Sequence, residues 1–329
     1  MLNHPLVHAL EQLPLGPASA LHFVQCSSSL PTGAIILHGF AADESTARVV
    51  VKTARNPALP HSLQREWESL AVVRSDGTLA RLTPEGIGTF DVDGAKFFAY
   101  SGIPGRTMSA LLRNRLWLRR ATLLKRFAGR ALEVALLIHK TASRPSPPSF
   151  VADDLLSDLN GLRRLVPVLP QSVCLKATEA AASIAAAPGP LPCGRIHGDF
   201  SPHNLLVENS ASRGVTRVID WEHMEAERPQ HLDLFRFIGA SLLVGKRGAE
   251  RGAALQSMRR DAAPLVRDLL HPWLVAMGVD AAGWTRPERL EALWWHYWLH
   301  AARRSLERLA SADARDSLLL RSLIEAASG

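Results

Sequence analysis

The sequence predicts an α+β fold in two parts, a sheet-forming region over residues 1–102 and a larger, mainly helical region over 103–329. Three observations carry this. Short β-branched and aromatic runs with a period of two recur up to Tyr100. From Ser109 onward the apolar residues recur at three- and four-residue steps. At 329 residues the chain is also longer than one ordinary hydrophobic core fills.

Taken in order, Ala20–Cys26 and Ala34–His38 read as two strands joined by the turn SSSLPTG. The run ARVVVKTAR then alternates, with Val49 and Val51 on one face and Val50 and Lys52 on the other. His61–Val73 follows a Pro-bounded loop and repeats Leu63, Trp67 and Leu70 at helical spacing. Gly86–Asp91 and Ala95–Tyr100 are two further strands around the turn DVDG. Helices then dominate. Arg113–Arg130 holds seven basic residues and no acid, and as one helix it would set Leu112, Leu116, Leu123 and Phe127 in a stripe. The cations around that stripe are read as a solvated face, with a docking face for an acidic partner as the competing reading. Ala131–His139 continues as helix, TASRPSPPSF reads as a loop, and AAPGPLPCG marks a break. In the last third, Leu290, Trp294, Tyr297 and Trp298 form a core-facing stripe, with Trp295 or Trp298 at the border of a ligand pocket.

Chemistry concentrates in IHGDFSPHNLL (Ile196–Leu206) and RVIDWE (Arg217–Glu222). The first has the form H-x-D-x-x-x-x-N, and the second sets an Asp between an apolar strand and a turn. Phosphoryl transfer from a nucleotide needs a carboxylate to orient the acceptor hydroxyl. It also needs an amide oxygen and a second carboxylate to hold Mg²⁺ on the phosphates. Asp199, Asn204 and Asp220 are those types in that order, and a hairpin between the two pieces brings Asn204 and Asp220 to one end.

These motifs resemble those of the aminoglycoside phosphotransferase and choline kinase-like family, small-molecule kinases of protein-kinase-like, bilobal fold. The resemblance is densest over residues 190–240. It implies Asp199 as the catalytic Asp, Asn204 and Asp220 as metal ligands, and His197 as a buttress of the loop. RPQHLDLFRFIG then sets Asp233 at the start of a helix beneath that loop. Lys52 becomes the lysine on the α/β-phosphates, paired with Glu66, or with Glu68 as the fallback. SGIPGRTM resembles the family's hinge, so Tyr100 and Gly102 are expected beside the adenine. No G-x-G-x-x-G precedes Lys52, which leaves Ser27–Gly33, with Ser28 and Ser29, as the candidate phosphate loop. His139 is expected to be a buried structural histidine.

The implied activity is transfer of the γ-phosphoryl group of ATP, with Mg²⁺, to a hydroxyl of a small molecule such as a sugar, a glycan intermediate, an amino alcohol or an aminoglycoside-like compound. A catalytically weak nucleotide-binding regulatory module of the same fold is the alternative. Asp233 follows Asp220 by only 13 positions, which leaves no room for the activation segment of a protein kinase. The basic excess, 38 Lys and Arg against 31 Asp and Glu, raises the question of nucleic acid. No zinc-finger, RNA-binding or interleaved aromatic–basic pattern accompanies it, so no nucleic-acid partner is expected. The scarcity of acids in the segments expected on the acceptor side, Arg113–Arg130 and Leu290–Arg304, favours a neutral or anionic acceptor over a cationic one. No apolar run is long enough to span a membrane, and the N-terminus lacks a signal-peptide pattern. Three scattered cysteines, Cys26, Cys174 and Cys193, read as reduced thiols of a cytoplasmic protein.

Overall fold

Alternating burial along Val49–Ala54 organises the first part of the molecule. Val49 and Val51 are wholly buried and meet Ala99, Phe23, Leu37 and Phe97 in one apolar cluster, which leaves Lys52 on the opposite face. The computed structural model describes residues 21–27, 34–55, 61–113, 117–208, 215–308 and 324.

In chain order the elements are β1 (Leu21–Ser27), β2 (Ala34–Ala41), β3 (Val49–Ala54), α1 (His61–Arg74), α2 (Gly77–Ala80), β4 (Gly86–Val92), β5 (Ala95–Ser101) and β6 (Arg106–Thr107). Then come α3 (Met108–Arg113), α4 (Trp117–Lys140), β7 (Ser143–Ser146), α5 (Pro148–Leu165), α6 (Gln171–Ala185) and β8 (Leu191–Ile196). The hairpin strands β9 (Leu205–Val207) and β10 (Thr216–Val218) are followed by a 3₁₀ turn at Trp221–His223 and by β11 (Glu225–Pro229). Helices complete the described chain: α7 (His231–Leu243), α8 (Gly248–Gln256), α9 (Met258–Ala276), α10 (Ala281–Trp284) and α11 (Pro287–Arg308).

By contacts the chain forms two compact units, Met1–Met108 with His203–Met224, and Ser109–Pro202 with Glu225–Gly329. This grouping differs from a simple division after residue 102. The β9–β10 hairpin joins the first unit because β6 pairs with β9 and the Val218 N–H donates to the Leu82 carbonyl.

The first unit is built on a five-stranded antiparallel sheet of order β1-β2-β3-β5-β4. Its β4–β5 connection is a two-residue turn in which Asp93 and Gly94 both have positive φ, at 50° and 77°. That is the twist a tight hairpin requires, and it explains the Asp-Gly pair. Helix α1 buries Leu63, Glu66, Leu70 and Val73 on one face and packs against the Trp221–His223 turn.

The second unit is mainly helical, with a small sheet of order β11-β8-β7. Two sequence expectations change here. The Pro/Ser stretch is not simply a loop: Pro145 lies in β7, a sheet edge where a missing N–H is tolerated, and Pro148 opens α5, where its fixed φ suits a first helical turn. Likewise, the break before the Asp199 loop ends at Pro190, since Leu191–Gly194 already belong to central strand β8. In the basic segment, α3 is described up to Arg113 and α4 from Trp117, and residues 114–116, Leu116 among them, lie outside the described residues. Within it, Arg120 donates to the carbonyls of Ser241 (3.3 Å) and Val244 (2.8 Å), satisfying the end of α7.

Candidate active site

Within the first unit, Lys52 is the centre of a charged triangle. Its ammonium donates to both oxygens of Glu66, at 2.8 and 2.9 Å, and to Asp220 Oδ1 at 3.0 Å. Glu66 reaches it because it follows Leu63 by three residues on the buried face of α1. Glu68 instead faces out and accepts from Gln64 at 2.7 Å. Asp220 is held by local geometry. The Ile219 N–H donates to the Asn204 carbonyl at 3.0 Å, just beyond the Leu205↔Val218 pair, so Asn204 and Asp220 share one hairpin end. Asp220 itself adopts a left-handed conformation (φ 70°, ψ 59°), which few residues other than Gly, Asn and Asp accept, and Trp221 is buried directly after it.

The electrostatics follow from burial. Desolvation would push the Lys52 ammonium down, but Asp220 and Glu66 outweigh it and hold the lysine above its usual range. For Glu66 burial dominates the pull of Lys52 and pushes the carboxyl up to about 7. Asp220 keeps a side-chain exposure of 34%, against 12% for Lys52, so it is the more open of the two.

Lys52, Glu66, Asn204 and Asp220 line a cavity of about 520 Å³ whose remaining wall is largely apolar, with Ile36, Val50, Leu206 and Ile219. Tyr100 joins this wall. Its ring lies 5.6 Å from the Lys52 ammonium and edge-on to Trp67. Gly102 does not line the cavity, although Ser101 and Ile103 do. Its N–H donates to the Arg48 carbonyl at 2.8 Å, and a Cβ there would run into the Ala47 carbonyl, so Gly102 serves the close approach of two chain segments. Ser28 and Ser29 lie outside the described residues. Sequence reasoning missed Ile36, His38 and Phe40, which the period-two face of β2 could have supplied.

Within the second unit, Asp199 stands in a loop fixed from below. Asp233, in the first turn of α7, is buried and accepts the His197 N–H at 2.7 Å and the Gly198 N–H at 3.0 Å. The same carboxylate meets His139 Nε2 at 3.2 Å. Trp273 Nε1–H donates to His139 Nδ1 at 3.0 Å, which makes Nδ1 the acceptor and leaves the proton on Nε2, facing Asp233. His139 is thus a buried positioning residue. Gly198 has φ 77°, a conformation in which an Arg at this position would be strained. His197 is fully buried beside Phe200, and its Nδ1 accepts the Asp199 N–H at 3.2 Å.

Arg236, one turn beyond Asp233, is the residue the sequence reading passed over. Its Nε and Nη2 reach Asp199 Oδ1 at 2.7 and 2.6 Å, and the carboxylate in turn raises the guanidinium. Both line a cavity of about 180 Å³ closed by α11 through Tyr297, His300, Ala301 and Arg304. These four recur at i, i+3, i+4 and i+7, a helical face that their spacing alone would have revealed. Trp295 and Trp298, expected at the pocket border, are instead buried in the aromatic packing of α11 and do not line it. The helix is anchored by Asp158 of α5, which accepts from Arg228 Nη2 and Arg303 Nε, both at 2.7 Å. Asp154, Asp158 and His296 lie close enough together to suit a metal ion, but Arg228 is paired with both carboxylates. They are the polar tether of α11.

The profile of the phosphotransferase enzyme family matches residues 39–237, from β2 through the Asp199 loop to α7. Among solved structures, the chain is similar to the aminoglycoside phosphotransferase APH(2")-IIia in its complex with GDP and kanamycin. Identity is 14% over 98% of this chain and 96% of that one, with a TM-score of 0.57. An aminoglycoside-3'-phosphotransferase of type VIII is similar at 17% identity over 86% of this chain and 93% of that one, with a TM-score of 0.50. At such identities the likeness establishes the kinase-like fold. No curated protein matches the chain. With three fifths of its length under the family profile, the chain belongs to the phosphotransferase enzyme family and is a phosphotransferase acting on an alcohol group.

Proposed function

We propose that this protein transfers the γ-phosphoryl group of ATP to a hydroxyl of a small molecule. The observation that carries the reading is the Lys52–Glu66–Asp220 triangle in an otherwise apolar cavity. A flat, uncharged base suits walls such as Ile36, Val50, Leu206 and Ile219, while a fixed ammonium suits the α/β-phosphates. Ser101 and Ile103 line the same cavity.

Mg²⁺ fits the donor set, because Asp220 and Asn204 present hard oxygen ligands at one hairpin end. When bound it would neutralise charge on the β- and γ-phosphates. The protein's own part is to position and to move one proton. As the acceptor oxygen forms its bond to the γ-phosphorus, the bond from that phosphorus to the β–γ bridging oxygen breaks and ADP leaves. The acceptor's proton passes to Asp199. Arg236 holds Oδ1 of Asp199 and so fixes the orientation in which this carboxylate meets the hydroxyl. Asp233 and His197 hold the loop so that this carboxylate does not have to be ordered at each turnover. Most of the acceleration then comes from positioning and electrostatics.

In this reading the first unit serves the nucleotide and the second serves the acceptor. The free cysteines suit a reducing cytoplasmic setting, and no helix among the described residues is long and apolar enough to cross a membrane. The test is ADP release in Mg²⁺–ATP across neutral, anionic and cationic hydroxyl compounds. Acceptor-dependent ADP release with a phosphorylated product supports the proposal, and nucleotide binding without any phosphorylated product refutes it.

A further inference from the structure

The cavity around Asp199 is lined by more cationic than anionic chemistry, and the carboxylates it does contain are already engaged. Asp233 has both oxygens on the catalytic loop and His139. Asp199 gives Oδ1 to Arg236. Among the cations, Arg304 is paired with Glu225 at 2.5 Å. Arg251, exposed on α8, lines the same cavity and has no ion-pair partner among the described residues.

His300 supplies a second donor. It is 95% buried, as its 5% exposure gives, and its Nε2 has no hydrogen-bond partner among the described residues. Its Nδ1 lies 2.8 Å from Arg228 Nη2 and 3.2 Å from Asp158 Oδ2. A guanidinium only donates, so the shorter contact requires a lone pair on Nδ1 and places the ring proton on Nε2. A buried N–H without an acceptor is costly, and His300 is part of the lining of this cavity, so a ligand oxygen drawn up to Nε2 would satisfy it. An amine would meet the opposite: donors against donors, beside a surplus guanidinium. The cavity of about 180 Å³ is also below the roughly 300–1,000 Å³ of pockets for drug-sized ligands, which disfavours a multi-ring acceptor.

We infer that the acceptor is a compact hydroxy compound carrying an oxyanion, carboxylate or phosphate, which Arg251 and His300 Nε2–H bind while Asp199 receives its hydroxyl. This rests on the phosphotransfer reading above and adds the charge of the substrate to it.

The experiment is a charge ladder on one scaffold: glucosamine, glucose, glucuronate and glucose 6-phosphate, with kanamycin as a polycation. Each is assayed with Mg²⁺–ATP for kcat/KM and, independently of turnover, by calorimetry for binding to the wild-type protein. The expected result is that at least one anionic member exceeds glucose by about tenfold, the scale of one hydrogen bond to a charged group, and exceeds both cations by more. Whether glucuronate or glucose 6-phosphate leads identifies the oxyanion. Arg251→Gln, at an exposed position where folding is not at stake, should shrink the anion-to-glucose ratio about tenfold, as should His300→Phe in part. Preference for glucosamine or kanamycin overturns the inference, as does a failure of every anionic member to bind better than glucose. An unchanged ratio in Arg251→Gln also overturns it. A parallel titration with ATP separates the two levels. ATP binding with a flat ladder removes only the oxyanion, whereas absence of ATP binding removes the phosphotransfer reading and this inference with it.

Discussion

Replacing Asp233 by Asn should unseat the catalytic loop while changing almost nothing in volume. The carboxylate accepts three hydrogen bonds, from His197 N–H at 2.7 Å, Gly198 N–H at 3.0 Å and His139 Nε2 at 3.2 Å. An Asn side chain keeps one acceptor oxygen and turns an NH₂ toward a donor at the other position. One buried backbone N–H is then left unsatisfied, at about 1–3 kcal/mol, and the bonds that remain lose their charge assistance, at about 1 kcal/mol more. A net cost of about 3 kcal/mol is expected, which is a factor of about 150 in the folding equilibrium. Burial at 1% exposure leaves no water to repair the loss. The assay is the urea midpoint of Asp233→Asn against the wild type. It is paired with kcat, which should fall at least tenfold because the loop carrying Asp199 is no longer pinned. A destabilisation below about 0.5 kcal/mol with kcat intact would refute the reasoning, since a carboxylate with these partners cannot be neutral to remove.

Other outcomes follow from the same geometry. Lys52→Ala and Glu66→Ala should be non-additive in kcat/KM by roughly 0.5–3 kcal/mol, while Glu68→Ala stays within about 0.5 kcal/mol in stability; a double-mutant cycle decides this. Burial raises the Glu66 carboxyl to about 7, so its contribution to stability is fully present below its ordinary value of 4.5 and is lost as pH rises through about 7. Melting temperatures measured from pH 5 to 8 should therefore shift in favour of Glu66→Gln over the wild type as pH rises, and a parallel pair of curves would contradict it. Burial also pushes the Cys193 thiol up to about 11, whereas Cys26 is exposed. Alkylation of the native protein followed by peptide mapping should mark Cys26 and leave Cys193 unmodified until unfolding.

Much of this site is legible in the sequence because local periodicity creates it. The alternation of Val49, Val50, Val51 and Lys52 sets the lysine opposite the core, and Glu66 shares a helical face with Leu63 and Leu70. Asn204 and Asp220 meet because a hairpin has only one end on that side. What escaped the sequence depends on contacts across long stretches of chain. His139 and Asp233 are 94 residues apart, and nothing local announces that Trp273 sets the tautomer between them. Arg236 looks like any helix arginine until Asp199 is placed beside it. On α11 the periodicity was visible, but the tryptophans drew attention from the smaller Tyr297–Arg304 face that lines the cavity. Pro145 and Pro148 suggested a loop because an edge strand and a first helical turn both tolerate proline, and sequence alone does not tell these from a coil.

Asp199→Asn, with ATP affinity and phosphoryl transfer measured on the same preparation, tests the central claim most directly. Asp199 is proposed to act on the acceptor hydroxyl and Asp220 on the nucleotide side. Transfer of labelled γ-phosphate should therefore fall by roughly 10²–10⁴-fold in Asp199→Asn while the Kd for Mg²⁺–ATP stays within a few-fold. Asp220→Ala, run beside it, should lose Mg²⁺-dependent ATP binding. Retained transfer in Asp199→Asn, or an equal loss of ATP affinity in both variants, would contradict the assignment.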